Sequence, residues 1–201
     1  VAQAAKMIGD IKYKEAGDAL IPVLQHSYPR AIFFAAQALG RIEHSAAVTP
    51  IIQMIEKNND EDIYLRHARI LALSRIGQIE PVTALSTSNS RALRIAAVLV
   101  LRRLRNEQVE IFLQDKDEYI VTEAARAIND DLSIEKALPA LAATLTEKRF
   151  TSEPLLRRGI NACLRVGGEK EMDVLIAFAK RTELPAAIRA EALATLGVWA
   201  N

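Results

Sequence analysis

The stretch Arg30–Gly40, RAIFFAAQALG, places Ala35 four residues before Leu39 and five before Gly40. The same arrangement returns at Ala4 (Ile8, Gly9), Ala72 (Ile76, Gly77), Ala97 (Leu101, Arg102), Ala124 (Ile128, Asn129), Ala162 (Val166, Gly167) and Ala192 (Leu196, Gly197). Successive alanines lie between about 25 and 38 residues apart, a range in which self-similarity marks stacked supersecondary units. Apolar residues recur at helical spacing within each stretch. Each is therefore predicted to be a helix with its alanine on the buried stripe and its end at the fifth place after it. A single methyl there lets neighbouring backbones approach closely, and the branched aliphatic one turn on fills the space.

Shorter apolar segments lie between these helices, so the chain reads as helix, polar turn, helix. The first pair runs from Glu15 through Leu20, Ile21 and Leu24 to the turn HSYP, then into RAIFFAAQALG, with Pro29 as a start and Gly40 as a stop. The later second helices are YLRHARILALSRIG, RALRIAAVLVLRRL, YIVTEAARAIND, PLLRRGINACLRVGG and PAAIRAEALATLG. Pro22, Pro50, Pro81 and Pro139 fall in first helices, near their starts or at a bend. The fold expected is an all-α superhelix of about six helix pairs after an N-terminal half-repeat, forming a single domain over 1–201. A half-repeat would leave Val1, Ala4, Ala5 and Ile8 facing solvent, so the chain is expected to be a segment of a longer protein.

The 201 residues carry 26 basic and 25 acidic side chains, so no global field draws the chain to nucleic acid or to an anionic membrane. No apolar run reaches the roughly 18–20 residues that a membrane helix needs. Cys163 is the only cysteine, which excludes an intrachain disulfide and a multi-cysteine zinc site.

The stretches IRAEALATLG, TEAARAIN and FFAAQALG resemble the second helices of HEAT repeats, of the short bacterial type found in phycobilin lyases. The resemblance implies a HEAT- or armadillo-like solenoid. It also implies that an arginine at the start of the second helix pairs with an acid in a neighbouring turn. Arg69, Arg94 and Arg189 hold that place, with Asp60, Asp62, Asp115 and Asp117 as turn acids; Val1, Ile32, Val121 and Gly159 interrupt the ladder. A narrower resemblance covers residues 120–201. EAARAINDDLSIEKALPALA, LLRRGINACLRVGG and AAIRAEALATLGVWAN are similar to the helical segment of large exported bacterial proteins. There a sugar-dehydrogenase-like propeller precedes the segment and a c-type cytochrome domain follows it. That likeness implies export to the periplasm and redox chemistry on other domains; without it the compartment would be the cytoplasm.

Catalytic and metal chemistry find little support. None of His26, His44 and His67 has a second ligand at helical spacing, so capping or solvated roles are expected. Cys163 follows Ala162 on the edge of the buried stripe, where a small apolar residue packs well. No motif for a cofactor or phosphate is present. Arg91, Arg94, Arg102, Arg103 and Arg105 form a run without an acid, compatible with a phosphate track. Cations also stabilise a helix C-terminus, and stacking aromatics are missing from the same helix. These points weigh against nucleic-acid binding.

The face opposite the alanines offers more. Phe33, Ile70, Ile95 and Ile160 share one place there, and Leu99 and Leu164 another, flanked by Arg30, His67, Tyr119, Arg126 and Arg157. Second helices line the concave side of such an array, so these residues form either an exposed apolar ridge or a row covered by curvature and by the first helices. The function expected is a non-catalytic scaffold that engages a protein, or other domains of its own chain, through Phe33, Ile70, Ile95, Leu99, Tyr119, Arg126, Arg157, Ile160 and Leu164. The rival reading is a modification enzyme or lyase using the same groove, with Tyr119, Glu123 and Arg126 as its only titratable neighbours on one helix.

Overall fold

Six of the seven aligned alanines have no exposed surface: Ala35, Ala72, Ala97, Ala124, Ala162 and Ala192 are each 0 % exposed. The exception is Ala4, which is exposed while its neighbour Ala5 is buried. The computed structural model describes residues 1–130 and 134–199. Residues 131–133 and 200–201, which belong to the stretches quoted for the narrower resemblance, lie outside the described residues.

The described residues are all-α, of the helical-repeat class expected, with no strand. α1 (Ala2–Asp10) is the half-repeat. Six pairs follow. The first joins α2 (Gly17–Leu20) and its flanking 3-10 turns to α3 (Pro29–Arg41), and the second joins α4 (Val48–Asn58) to α5 (Ile63–Ile76). The third joins α6 (Ile79–Thr83) to α7 (Arg91–Leu104), and the fourth joins a 3-10 helix (Glu107–Gln114) to α8 (Glu118–Asn129). The fifth joins α9 (Leu138–Ala143) to α10 (Glu153–Val166), and the sixth joins α11 (Glu169–Ala179) to α12 (Ala186–Gly197).

Four of the six first helices are short or pass into 3-10 winding, whereas α4, α11 and the second helices are continuous. Pro22 has no amide to donate and its ring opposes continuation of α2, so the chain changes to 3-10 winding over Pro22–Gln25. The second helices α5 and α8 start on turn aspartates that satisfy their unpaired amides. The Asp62 carboxylate accepts from the amides of Tyr64 (2.9 Å) and Leu65 (3.0 Å), and Asp117 accepts from Tyr119 (2.9 Å).

Contacts divide the chain into two compact units, Val1–Leu104 and Arg105–Asn201. In the first, α1 lies on α3, α3 on α5 and α5 on α7. Glycine decides how close these helices come. A Cβ on Gly9 would sit 2.8 Å from the Ala38 Cα, and one on Gly40 would sit 2.6 Å from the Ala72 Cα. The sequence reading of Gly40 as a helix stop is therefore corrected. α3 runs on to Arg41, and the left-handed turn beyond it falls on Glu43 (φ 57°), as it falls on Lys12 (φ 54°) after α1. Gly77 (φ 75°) and Gly167 (φ 71°) are the residues that do cap their helices in the left-handed conformation. One sequence position thus serves two physical ends, close approach early in the chain and chain reversal later.

In the second unit α8 lies on α10 and α10 on α12. The Glu118 carboxylate of α8 accepts from the backbone amides of Thr151 and Ser152 (2.6 Å for Ser152), capping α10 from the preceding repeat. Thr122 Oγ1 and Ser152 Oγ meet at 3.0 Å across the same junction.

Two substitutions test this packing. Gly40→Ala should lower stability by about 1–3 kcal/mol through overpacking against Ala72, although alanine is the better helix former, while Gly197→Ala, which meets nothing within 4 Å among the described residues, should cost nothing. Equal melting shifts for the two would mean that α3 and α5 do not approach as described. Ala124→Leu should likewise cost about 1–3 kcal/mol in chemical denaturation.

Candidate functional site

A second helix inside the stack meets three or four neighbouring helices, and that geometry decides which residues face water. α5 touches α3, α4 and α7, and α10 touches α8, α9, α11 and α12. The place two residues before the alanine is covered as a result on α5, α7 and α10: Ile70 is 5 % exposed, Ile95 4 % and Ile160 2 %. The exposed-ridge expectation fails at these three residues, which belong to the core. Phe33, at the same place, is half-buried and meets Phe34 edge to face with centroids 5.3 Å apart. Leu99 and Leu164 are also half-buried.

The open stripe is rotated from the expected one. In the second unit it holds the fifth and first places before the alanine and the second after it, a spacing that lines one helix face, whereas on α7 the first two of these places, Ala92 and Ala96, are buried. On α8 these are Tyr119, Glu123 and Arg126; on α10 they are Arg157, Asn161 and Leu164. Tyr119 is 52 % exposed, and Arg126 and Arg157 are exposed. In the first unit Arg30 and His67 occupy the same fifth place and are exposed. The residues expected to flank the ridge are the surface itself.

Charge holds this surface in order within the second unit. Arg158 Nε and Nη2 grip Asp130 at 2.8 and 2.7 Å, joining α10 to the end of α8. Arg157 bonds Glu153 of its own helix (2.9 and 2.6 Å) and Glu191 of α12. Arg126 lies 3.9 Å from both Glu123 and Asp130. A cavity of about 480 Å³ opens here, lined by Asn129, Asp130, Glu153, Pro154, Arg157 and Arg158. The Arg158 hydrogen bonds hold the Asp130 carboxyl below its ordinary value of 3.8, against the opposing effect of burial. The Arg158 guanidinium is raised by the same pair, and that of Arg157 is raised chiefly by Glu153.

Two arginines of the expected ladder make backbone contacts. Arg94 Nη1 donates to the carbonyls of Ser88 (2.8 Å) and Asn89 (3.2 Å), and Arg189 Nε donates to that of Ala179 (3.0 Å). Arg69 is 2 % exposed, with Nε and Nη1 buried and without a hydrogen-bond partner among the described residues. Burial pushes its guanidinium down, and Asp62 opposes that shift. The sequence reading missed two braces that do join repeats. Arg149 donates to the carbonyls of Leu113 (3.5 Å) and Asp115 (2.7 Å), and Arg181 to those of Leu145 (3.2 Å) and Glu147 (3.4 Å). Each reaches back by the same two steps, 36 and 34 residues. That shared offset is the signal that could have found them.

Cys163 is fully buried with its thiol pushed up to about 12, first by burial and then by Glu171. A thiol so held is a poor nucleophile. His44 Nε2 meets Asp18 at 3.0 Å, and His26 Nδ1 accepts from the Tyr28 amide at 3.0 Å. Among the described residues no three His, Cys, Asp or Glu side chains are grouped to hold a metal, and no described helix is long and apolar enough to cross a membrane.

Two measurements follow. Ile95→Ala should cost about 2–5 kcal/mol, as for a core isoleucine; an unchanged melting point would return Ile95 to the surface. Because the folded Asp130 carboxyl is depressed, its contribution to stability is complete above the ordinary value and fades as pH falls below it. Asp130→Asn should flatten that part of the acid-unfolding profile, and an unaltered profile would dissolve the Asp130–Arg158 pair.

Against known proteins, the model of the HEAT-repeat family matches residues 2–74 and 18–102. No curated protein matches the chain. Among solved structures, the chain is similar to the crystal structure of an engineered protein determined by a structural genomics consortium, at 16 % identity and a TM-score of 0.46, covering 90 % of this chain and 97 % of that one. With its matched half and its repeated helix pairs, the chain belongs to the HEAT-repeat family.

Proposed function

We propose that the chain is a non-catalytic scaffold that binds a protein, or other domains of its own chain, through the open stripe of its second helices. HEAT repeats serve in general as protein-interaction scaffolds. The observation that carries the reading is the surface formed by Tyr119, Arg126 and Arg157 on consecutive second helices of the second unit. Tyrosine and arginine are the residue types that dominate interface energies, because each offers a rigid contact area with a polar end. Ion pairs to Glu153, Glu191 and Asp130 support this surface in advance, which lowers the ordering cost of binding. Leu164 on α10 adds a half-buried apolar edge, as Phe33 and Leu99 do on α3 and α7. Ile70, Ile95 and Ile160 act from beneath as core.

The likeness of residues 120–201 to the helical segment of exported propeller–cytochrome proteins supports a finer proposal. In it the chain is one segment of a larger bacterial redox protein, and the partner is a flanking domain.

Photo-crosslinking tests the surface. A crosslinking amino acid at Tyr119 or Arg157, in the longest natural form of the protein, should yield one defined partner peptide, and Arg126→Glu should abolish the product. The same probe at Lys148, exposed in the same unit, should yield none. Identical products from Lys148, or no product from Tyr119 and Arg157, would contradict the proposal.

A further inference from the structure

A different part of the first unit carries a charge arrangement that the stripe does not use. The last turns of α3, α5 and α7 hold Arg41, Arg75 and Arg103. Cations at a helix C-terminus gain from its dipole, but that gain does not require them to face one another. Here α3 and α7 both pack on α5, and Arg41 and Arg75 line one cavity; Arg75 is pushed down first by burial and then by the nearby charges of Arg41 and Arg103. Arg41 is engaged by Asp10, which also bonds Lys6 at 2.6 Å. Arg75 and Arg103 are exposed and have no carboxylate partner among the described residues. Arg75 lines a cavity of about 510 Å³ together with Gly9, Asp10, Lys12, Gly40, Arg41 and Glu43, and Arg103, on the helix packed against that of Arg75, stands beside its rim. Gly9 and Gly40 carry no side chain, so the helix ends close in without filling the space.

We infer that this cavity and its arginine row form a docking site for an extended acidic peptide, with a carboxylate bound by each of Arg75 and Arg103. The site is separate from the Tyr119 surface and stands or falls without it. Spacing supports a peptide. Helices in contact are about 8–10 Å apart and an extended chain advances about 3.3 Å per residue. Acids three residues apart therefore meet successive arginines. Guanidinium groups bind carboxylates through paired, charge-assisted hydrogen bonds. Asp10 and Glu43 set the choice against nucleic acid, because a continuous phosphate backbone would have to pass both carboxylates. No aromatic ring lines the cavity for base stacking.

Fluorescence anisotropy with the 201-residue chain tests the inference. The probes are a labelled twelve-residue peptide with glutamate at every third position, its glutamine counterpart, and a single-stranded oligonucleotide of equal charge. The glutamate peptide should bind and the glutamine peptide should not. Arg75→Ala with Arg103→Ala should weaken binding roughly tenfold or more, and Lys148→Ala with Lys170→Ala should leave it unchanged. Asp10→Asn removes the carboxylate competing for Arg41 and should strengthen binding, an effect that damage to the fold would not produce. Absence of saturable binding, indifference to the arginine pair, or weakening by Asp10→Asn would overturn the site. Tighter oligonucleotide binding through the same arginines would assign it to nucleic acid instead.

Discussion

The alanine contact between successive second helices is the constraint on which the rest of the structure depends. A methyl with no exposed surface, as at Ala35, Ala72, Ala97, Ala124, Ala162 and Ala192, leaves room for a neighbouring helix and for little else. In the first unit glycine tightens the contact further, with Gly40 over Ala72 and Gly9 over Ala38. Because interiors are packed to the density of organic crystals, setting this distance fixes which other side chains are enclosed.

Enclosure on three sides explains both the core and the surface. A second helix in contact with two other second helices and with its own first helix keeps only a narrow face for solvent. Ile70, Ile95 and Ile160 lie outside that face, and Tyr119, Arg126 and Arg157 lie within it. The same crowding brings helix ends together. In the second unit it allows Arg158 to reach Asp130, and Arg149 and Arg181 to reach the carbonyls of the preceding repeat. In the first it brings Arg41, Arg75 and Arg103 within repulsive range.

Much of the fold was legible because it rests on local rules. Six helix pairs and the alanine register of their second helices follow from periodicity, Pro29 and the polar turns. The glycines misled because the residue opposite each comes from another repeat: nothing within RAIFFAAQALG shows that Ala72 lies over Gly40. The ridge misled for a related reason. A single helix wheel separates one side from the other, but a stacked helix has several covered faces, so the open stripe shifts by about one residue. Arg149 and Arg181 were invisible to motif reasoning because their acceptors are backbone carbonyls, which no residue type marks. The candidate surface was half legible. Tyr119, Arg126 and Arg157 were chosen as flanking residues; they are exposed, and the proposed surface is centred on them.

Thiol labelling of two adjacent-turn positions on α10 tests the central claim most directly. With cysteine introduced singly at Arg157 or at Ile160, the exposed position should react at the rate of an unstructured peptide. The covered one should react only as fast as the protein opens, like the native Cys163. Comparable fast labelling at both positions would contradict the account, since Ile160 would then face solvent and the open stripe would lie elsewhere.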